Sequence, residues 1–426
     1  MKKVLIIAYY WPPAGGPGVQ RWLKFVKYLP EFGVQPIVYV PENATYPILD
    51  HELVQEIRKD VTVLTHPINE PYKFATFFSK NSTKTISSGI IKDQKKQSFL
   101  DKTLLYIRGN FFIPDARVGW VKPSVTFLSD YIKQNAIDTI ITTGPPHSMH
   151  LIGMELKKRF KLKWIADFRD PWTNIGYHKE LKLTERASKK HQELEKEVLN
   201  TCDQVITTSF TTKKEFEVIT SKPIQVITNG YDVEYVSKLP MDNKFTISHI
   251  GSLLSKRNPR ILWKALRLIL KENETFENDF ELQLIGKVSP EVLETLEEFK
   301  LTKFLKIIGY VSHKEAIKKQ RSSQLLLLIE INSYETIGII PGKLFEYMAA
   351  ERPILAIGPE GSDVEEIIKE TNTGKYFDYE SMEEVKNYIL TCYDDYLNHN
   401  LKQNGIGLQY YSRKKLTEKL AVLLKD

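Results

Sequence analysis

Short strand-like runs, most of them continuously apolar, alternate with helix-length segments along almost the whole chain, and the alternation restarts once. In the first half the runs are Val4–Tyr9, Pro36–Val40, Val61–Thr65, Thr139–Thr143, Trp164–Asp167, Val205–Thr208 and Ile224–Thr228. In the second half they are Phe245–Ile250, Glu281–Ile285, Leu305–Ile308, Leu325–Ile329 and Ile354–Ile357. A strand buried on one face alternates apolar with polar residues. A strand covered by helices on both faces does not, so these runs read as parallel strands. Segments of helical period, such as Val19–Leu29, Ile261–Leu270 and Met382–Leu397, lie between them. Repeated strand–helix units build open parallel sheets with helices on both faces, an α/β architecture.

The restart near Phe245 divides the chain into domains 1–238 and 239–407, and 426 residues exceed what one core supports. Residues 408–426 carry an amphipathic helix, Ser412–Lys425, with Leu416, Leu420, Leu423 and Leu424 on one face. It either closes the second domain or packs back on the first. The N-terminal apolar run is too short for a leader, and no stretch of about 18 apolar residues exists to span a membrane. The expected location is therefore the cytoplasm. Two distant cysteines, Cys202 and Cys392, exclude a disulfide framework or a cysteine zinc site. A net charge of +7 suits an anionic ligand or surface. No zinc spacing, basic helix or aromatic RNA-binding signature points to nucleic acid.

Candidate functional residues cluster where strands end. The first strand runs into Pro12-Pro13-Ala14-Gly15-Gly16-Pro17-Gly18, where glycines let a ligand approach N–H groups at a helix N-terminus. It is not the dinucleotide fingerprint, because Pro17 has no N–H and the third glycine is missing. Thr139–Thr143 leads into Gly144-Pro145-Pro146-His147-Ser148, and the next strand ends in Asp167-Phe168-Arg169-Asp170-Pro171-Trp172. His147 could donate to a sugar hydroxyl or be structural; Asp167, Arg169 and Asp170 could be reactive or form a loop-fixing ion-pair network. In the second half, Gly251 is followed by Lys256 and Arg257, adjacent cations suited to a diphosphate, or to a solvated surface. Pro341 reads as the opening of a helix whose N-terminal dipole would favour a phosphate. One turn on, Glu346 could accept hydrogen bonds from a ribose diol; a glutamate paired with Lys343 would look the same.

Taken in order, the Gly15-Gly16 loop, Pro145–Ser148, Asp167–Trp172, Thr228-Asn229-Gly230-Tyr231-Asp232, Gly251–Arg257 and Pro341–Tyr347 resemble family-4-type retaining glycosyltransferases of the GT-B fold, nearly end to end. The resemblance implies two Rossmann-like domains facing each other across a donor-binding cleft. The first domain would take the acceptor and the second a nucleotide-diphosphate sugar, which is a co-substrate; no cofactor or metal is expected. It implies that Lys256 and Arg257 hold the pyrophosphate, with Gly251, Gly342 and Lys343 beside it, and that Glu346 binds the ribose. Gly309, Tyr310 and Val311 would touch the base, Gly15 and Gly16 would lie near the phosphates, and His147, with Asp167 and Arg169, near the transferred sugar. Two positions depart from the family pattern: a glutamate is replaced by Gly338, and an arginine by Ser252. Either Glu330 or Glu335 is a candidate for the missing carboxylate.

The resulting expectation is a metal-independent, retaining glycosyl transfer to a saccharide or lipid-linked acceptor, in cell-surface polysaccharide or glycoconjugate synthesis. A GT-B-type sugar-nucleotide epimerase and a non-catalytic sugar-nucleotide-binding protein are the alternatives. The segment Lys73–Arg108 interleaves eight basic residues with aromatic and aliphatic ones, the composition of an anchor on the anionic inner face of a membrane. Which sugar, base, acceptor and linkage are used is not encoded legibly, nor is the oligomeric state.

Overall fold

The computed structural model describes residues 1–70, 99–179, 181–232 and 240–425. It divides into two compact units, Met1–Asn229 with Arg413–Asp426, and Gly230–Ser412. The division falls between Asn229 and Gly230, and the expected boundary at 238 lies outside the described residues.

The first unit is built on seven parallel strands: β1 (Lys2–Ile7), β2 (Val34–Pro41), β3 (Thr62–His66), β4 (Thr139–Gly144), β5 (Lys163–Phe168), β6 (Gln204–Thr207) and β7 (Ile224–Val226). Their order is β3-β2-β1-β4-β5-β6-β7. β1 shows why the apolar runs are continuous. Leu5 and Ile7 enter the core on one face of the sheet, Val4 and Ile6 the core on the other. In register, Val4 sits between Pro36 of β2 and Thr139 of β4.

The second unit repeats the plan with six parallel strands: β8 (Phe245–Ile250), β9 (Phe280–Ile285), β10 (Leu305–Ile308), β11 (Leu325–Ile329), β12 (Ile354–Ile357) and β13 (Gly374–Phe377), ordered β10-β9-β8-β11-β12-β13. β13 has no counterpart among the expected strands. It is a short edge strand, only half covered, so its sequence never becomes a continuous apolar run. Its first residue must be glycine, because a Cβ on Gly374 would lie 2.0 Å from the carbonyl oxygen of Ile354.

Each strand order reverses once, at β1/β4 and at β8/β11. The carboxyl ends of those strands are where doubly wound sheets take ligands.

The last helix, Arg413–Lys425, belongs to the first unit. Leu416, Leu420, Ala421 and Leu424 share a core with Val19, Trp22, Leu23 and Val26 of the Pro17–Tyr28 helix. Residues 408–411 are a separate 3-10 turn preceded by Gly407 at φ 67°, so the helix itself begins later than 408. No described helix is long and apolar enough to cross a membrane. The free Cys202 and Cys392 are buried.

Candidate active site

In the first unit the candidate residues gather at the carboxyl ends of β1, β4 and β5. The loop after β1 is fastened to the loop after β2: Gly15 N–H donates to the Ile48 carbonyl at 3.0 Å, and Asp50 N–H to the Pro13 carbonyl at 2.8 Å. Gly15 N–H is therefore engaged by a carbonyl of the neighbouring loop. Gly16, at φ 108°, caps the Pro17–Tyr28 helix. Gly18 has a different task, because a Cβ there would lie 1.7 Å from Arg169 Nη1. Its absence gives the guanidinium passage. Arg169 is held by the carbonyls of Gly144 (Nε, 3.2 Å) and Pro145.

Asp167 is 0% exposed. It accepts from Arg21 Nη2 at 3.0 Å, Trp22 Nε1 at 2.9 Å and Thr143 Oγ1 at 2.8 Å. The strand-end aspartate thus ties β5 to β4 and to the Pro17–Tyr28 helix. Its salt-bridge partner is Arg21, 146 residues away, and not the neighbouring Arg169. Asp170 is half-buried, its carboxyl pushed up by burial, with no hydrogen-bond partner among the described residues.

His147 is 5% exposed and lies parallel to Trp172, with ring centroids 4.8 Å apart. Neither of its ring nitrogens has a hydrogen-bond partner. Burial first, then the charges of neighbouring imidazoles and Arg169, keep it neutral. Asp115 fixes this turn by accepting from the Ser148 N–H and hydroxyl, each at 2.9 Å. Asp115 carried no signal in the sequence, since its partner stands 33 residues away.

In the second unit the residues converge on the end of β8. Gly251 (φ 118°) and Gly286 (φ 116°) bring two backbones together; a Cβ on Gly286 would lie 2.7 Å from the Gly251 oxygen. Lys343 Nζ lies over the bare face of Gly251, 3.1 Å from where a Cβ would be. It reaches His249 Nε2 at 3.3 Å. His249 Nδ1 donates to the Leu327 carbonyl at 3.0 Å, which leaves Nε2 as the acceptor. Burial and the charge of Arg257 push the Lys343 ammonium down to about 7. Arg257 is half-buried on the 3-10 turn Ser255–Arg257, and its Nε is buried without a partner. Lys256 beside it is exposed, as is Ser252.

Pro341 does not open the following helix. The helix is Lys343–Ala349, seven residues capped by Gly342, while the Pro341 carbonyl accepts from Leu344 N–H at 3.0 Å. So short a helix carries little dipole, and the cations supply the positive field. Tyr347 OH anchors this helix to β8 by accepting from Ile250 N–H at 2.9 Å. Glu346 makes no close ion pair with Lys343, although its charge favours the ammonium. It meets His313 Nε2 at 3.1 Å and Gln320 Nε2 at 2.9 Å. The Gly309-Tyr310-Val311 segment follows β10, with Tyr310 95% exposed.

Of the two candidate carboxylates, Glu335 is exposed and Glu330 is buried at the end of β11. Ser362 Oγ donates to Glu330 at 3.1 Å and Tyr376 OH at 2.8 Å. Burial pushes its carboxyl up to about 7. Among the described residues no three His, Cys, Asp or Glu side chains are grouped to hold a metal ion.

The family model described as "Glycosyl transferases group 1" matches residues 244–395, and that described as "Glycosyltransferase Family 4" matches residues 51–235. The chain is a family-4-type glycosyltransferase. Solved structures show which fold this glycosyltransferase adopts. Sucrose-phosphate synthase from Thermosynechococcus elongatus matches with TM-score 0.60 at 13% identity, over 100% of this chain and 98% of that one. An S. aureus TarM variant in complex with Fondaparinux, alpha-GlcNAc-glycerol and UDP gives 0.60 at 11%, covering 100% of both chains. Anabaena HepE in complex with UDP-glucose gives 0.54 at 13%, over 100% of this chain and 96% of that one. The glycosyltransferase has the GT-B fold, as the resemblance implied. No curated protein sequence matches the chain significantly.

Proposed function

We propose that this glycosyltransferase takes a nucleotide-diphosphate sugar on its second unit and passes the sugar, with retained configuration, to a saccharide or lipid-linked acceptor held by the first. The reading is carried by the meeting of two cations, Arg257 and Lys343, at the glycine-built end of β8. Among the described residues neither forms a salt bridge; Glu330 and Glu346 act on them only at longer range, and a diphosphate would be a direct anionic partner. Leaving-group charge grows during transfer, so these cations stabilise the transition state more than the bound donor, and no metal is needed for it. Lys256, exposed beside Arg257, gives the outer part of this field. Glu346 takes the ribose diol, and the neutral His147 ring offers a hydrogen bond to the transferred sugar. Arg169 supports that site. Asp167, whose oxygens are spent on Arg21, Trp22 and Thr143, positions β5 and does not touch substrate.

UDP-glucose bound by HepE and UDP bound by TarM support a nucleoside-diphosphate donor here. The proposed setting is polysaccharide or glycoconjugate synthesis at the inner face of the cell membrane. The Phe99–Phe111 helix exposes Tyr106, Ile107 and Phe111 and fits a membrane-facing surface. Most of the basic segment Lys73–Arg108 lies outside the described residues. A panel of nucleotide sugars, incubated with cell-envelope acceptors, tests the reading. Transfer should occur, persist in excess EDTA, and keep the donor's anomeric configuration by NMR. A strict Mg²⁺ requirement, or an inverted product, overturns the metal-free or the retaining part. Conversion of donor without acceptor would indicate an epimerase.

A further inference from the structure

Resting on the assignment of Glu346 to the donor ribose, we infer that His313 and Gln320 set the protein's selectivity for a ribonucleotide over a deoxyribonucleotide. Glu346 lies on a helix of only seven residues, and its side chain is part-exposed. Left alone, such a carboxylate would sample several rotamers and be fully hydrated. Here one neighbouring helix, His313–Ser322, takes one oxygen at each of two positions. His313 Nε2 lies 3.1 Å from Oε1, and Gln320 Nε2 donates to Oε2 at 2.9 Å. Residues seven apart lie two turns apart on one face of a helix, so both reach the carboxylate from the same side. An ionised carboxylate accepts about four hydrogen bonds, so two donors fix its plane without by themselves filling it.

Gln320 is 2% exposed, so its amide is held by packing and its bond to Glu346 is not a surface encounter. His313 is the first residue of its helix, capped by Ser312, whose Oγ accepts from Glu315 N–H at 3.3 Å. Directly before it stands Gly309-Tyr310-Val311. The expected base-side loop thus leads directly into the helix that holds the Glu346 carboxylate.

A carboxylate held in this way meets a vicinal diol without reorienting. A sugar lacking one hydroxyl leaves an acceptor unsatisfied, which is how a site built for a hydroxyl rejects its deoxy analogue. Loosening the carboxylate should cost the ribonucleotide its advantage. The deoxyribonucleotide, which never used the full contact, should lose little. His313 and Gln320 are positioning residues, and their signature is the ratio of the two affinities.

The test is calorimetry on the full chain. ADP, GDP, CDP and UDP are titrated first, and the tightest binder is compared with its 2′-deoxy and 3′-deoxy forms. Wild type, Glu346→Ala, His313→Ala and Gln320→Leu are measured side by side. The inference expects His313→Ala and Gln320→Leu each to lower the ribo-to-deoxy ratio by about tenfold, the scale of one charged hydrogen bond, with deoxy affinity nearly unchanged. If Glu346→Ala collapses the ratio while the other two leave it intact, the positioning role is wrong and the ribose reading stands. Equal losses for ribo and deoxy ligands also overturn the positioning role. If Glu346→Ala leaves the ratio unchanged, or no nucleotide binds to the wild type, the ribose reading fails and takes this inference with it. Should Gln320→Leu not fold, His313→Ala decides, since its side chain is half exposed.

Discussion

Lys343 shows how much a single residue can owe to its surroundings. A lysine ammonium ordinarily titrates near 10.5; burial and Arg257 bring this one down to about 7. A diphosphate placed beside it would push that value back up. Binding must then take up a proton between pH 7 and the higher value in the complex. Affinity for the nucleotide sugar should be greatest below about pH 7 and fall as the pH rises above it. Calorimetry at pH 8 in buffers of different ionisation enthalpy measures the proton directly. Lys343→Met should bind more weakly and show no uptake; uptake that survives the substitution would place the proton elsewhere. Asp167 makes the opposite case, a charge spent on structure. Asp167→Ala would leave the Arg21 guanidinium buried without its carboxylate. A loss of about 3–5 kcal/mol of stability is expected, measurable by denaturant unfolding. A variant of wild-type stability that had lost only activity would return Asp167 to the reaction.

At the scale of elements, the Arg413–Lys425 helix completes the first unit's core. Leu420 is fully buried against residues of the Pro17–Tyr28 helix. Leu420→Ala should therefore destabilise the first unit by about 2–5 kcal/mol, the ordinary cost of a core cavity, and lower its melting temperature. A surface helix would show a change within about 0.5 kcal/mol. The amphipathic pattern of this segment is plain in sequence, but its partner is not, because nothing local says which of two similar cores lacks an apolar face. The same holds for the Lys343 helix. A proline preceding an apolar stretch reads as a helix start, yet the Pro341 carbonyl is used by Leu344 and the helix begins two residues later. Capping depends on where the preceding loop enters, and that loop is fixed by contacts with α/β elements distant in sequence, such as Asp363 N–H to the Ile337 carbonyl at 2.9 Å.

For the whole molecule, two units on separate cores imply that donor binding stabilises one of them selectively. A ligand at 100 times its dissociation constant adds about 2.7 kcal/mol to the state that binds it. Hydrogen exchange with donor present should slow in residues 251–258, 313–320 and 343–350 of the second unit. Protection confined to the first unit would contradict the donor assignment. Two separately packed units also mean that unfolding need not be a single transition. The sequence alone determined the two parallel sheets, the restart at Phe245 and the strand ends that carry the site. Those signals are local: strands buried on both faces are continuously apolar, and turns at their ends need glycine or proline. Only the tertiary structure decided which side chains meet there. It gave Asp167 to Arg21, Lys343 to Gly251 and His249, Glu346 to His313 and Gln320, and the final helix to the first unit. Those choices join residues far apart in the chain, and a hydrogen bond depends on distances of tenths of an ångström that no spacing along a sequence records.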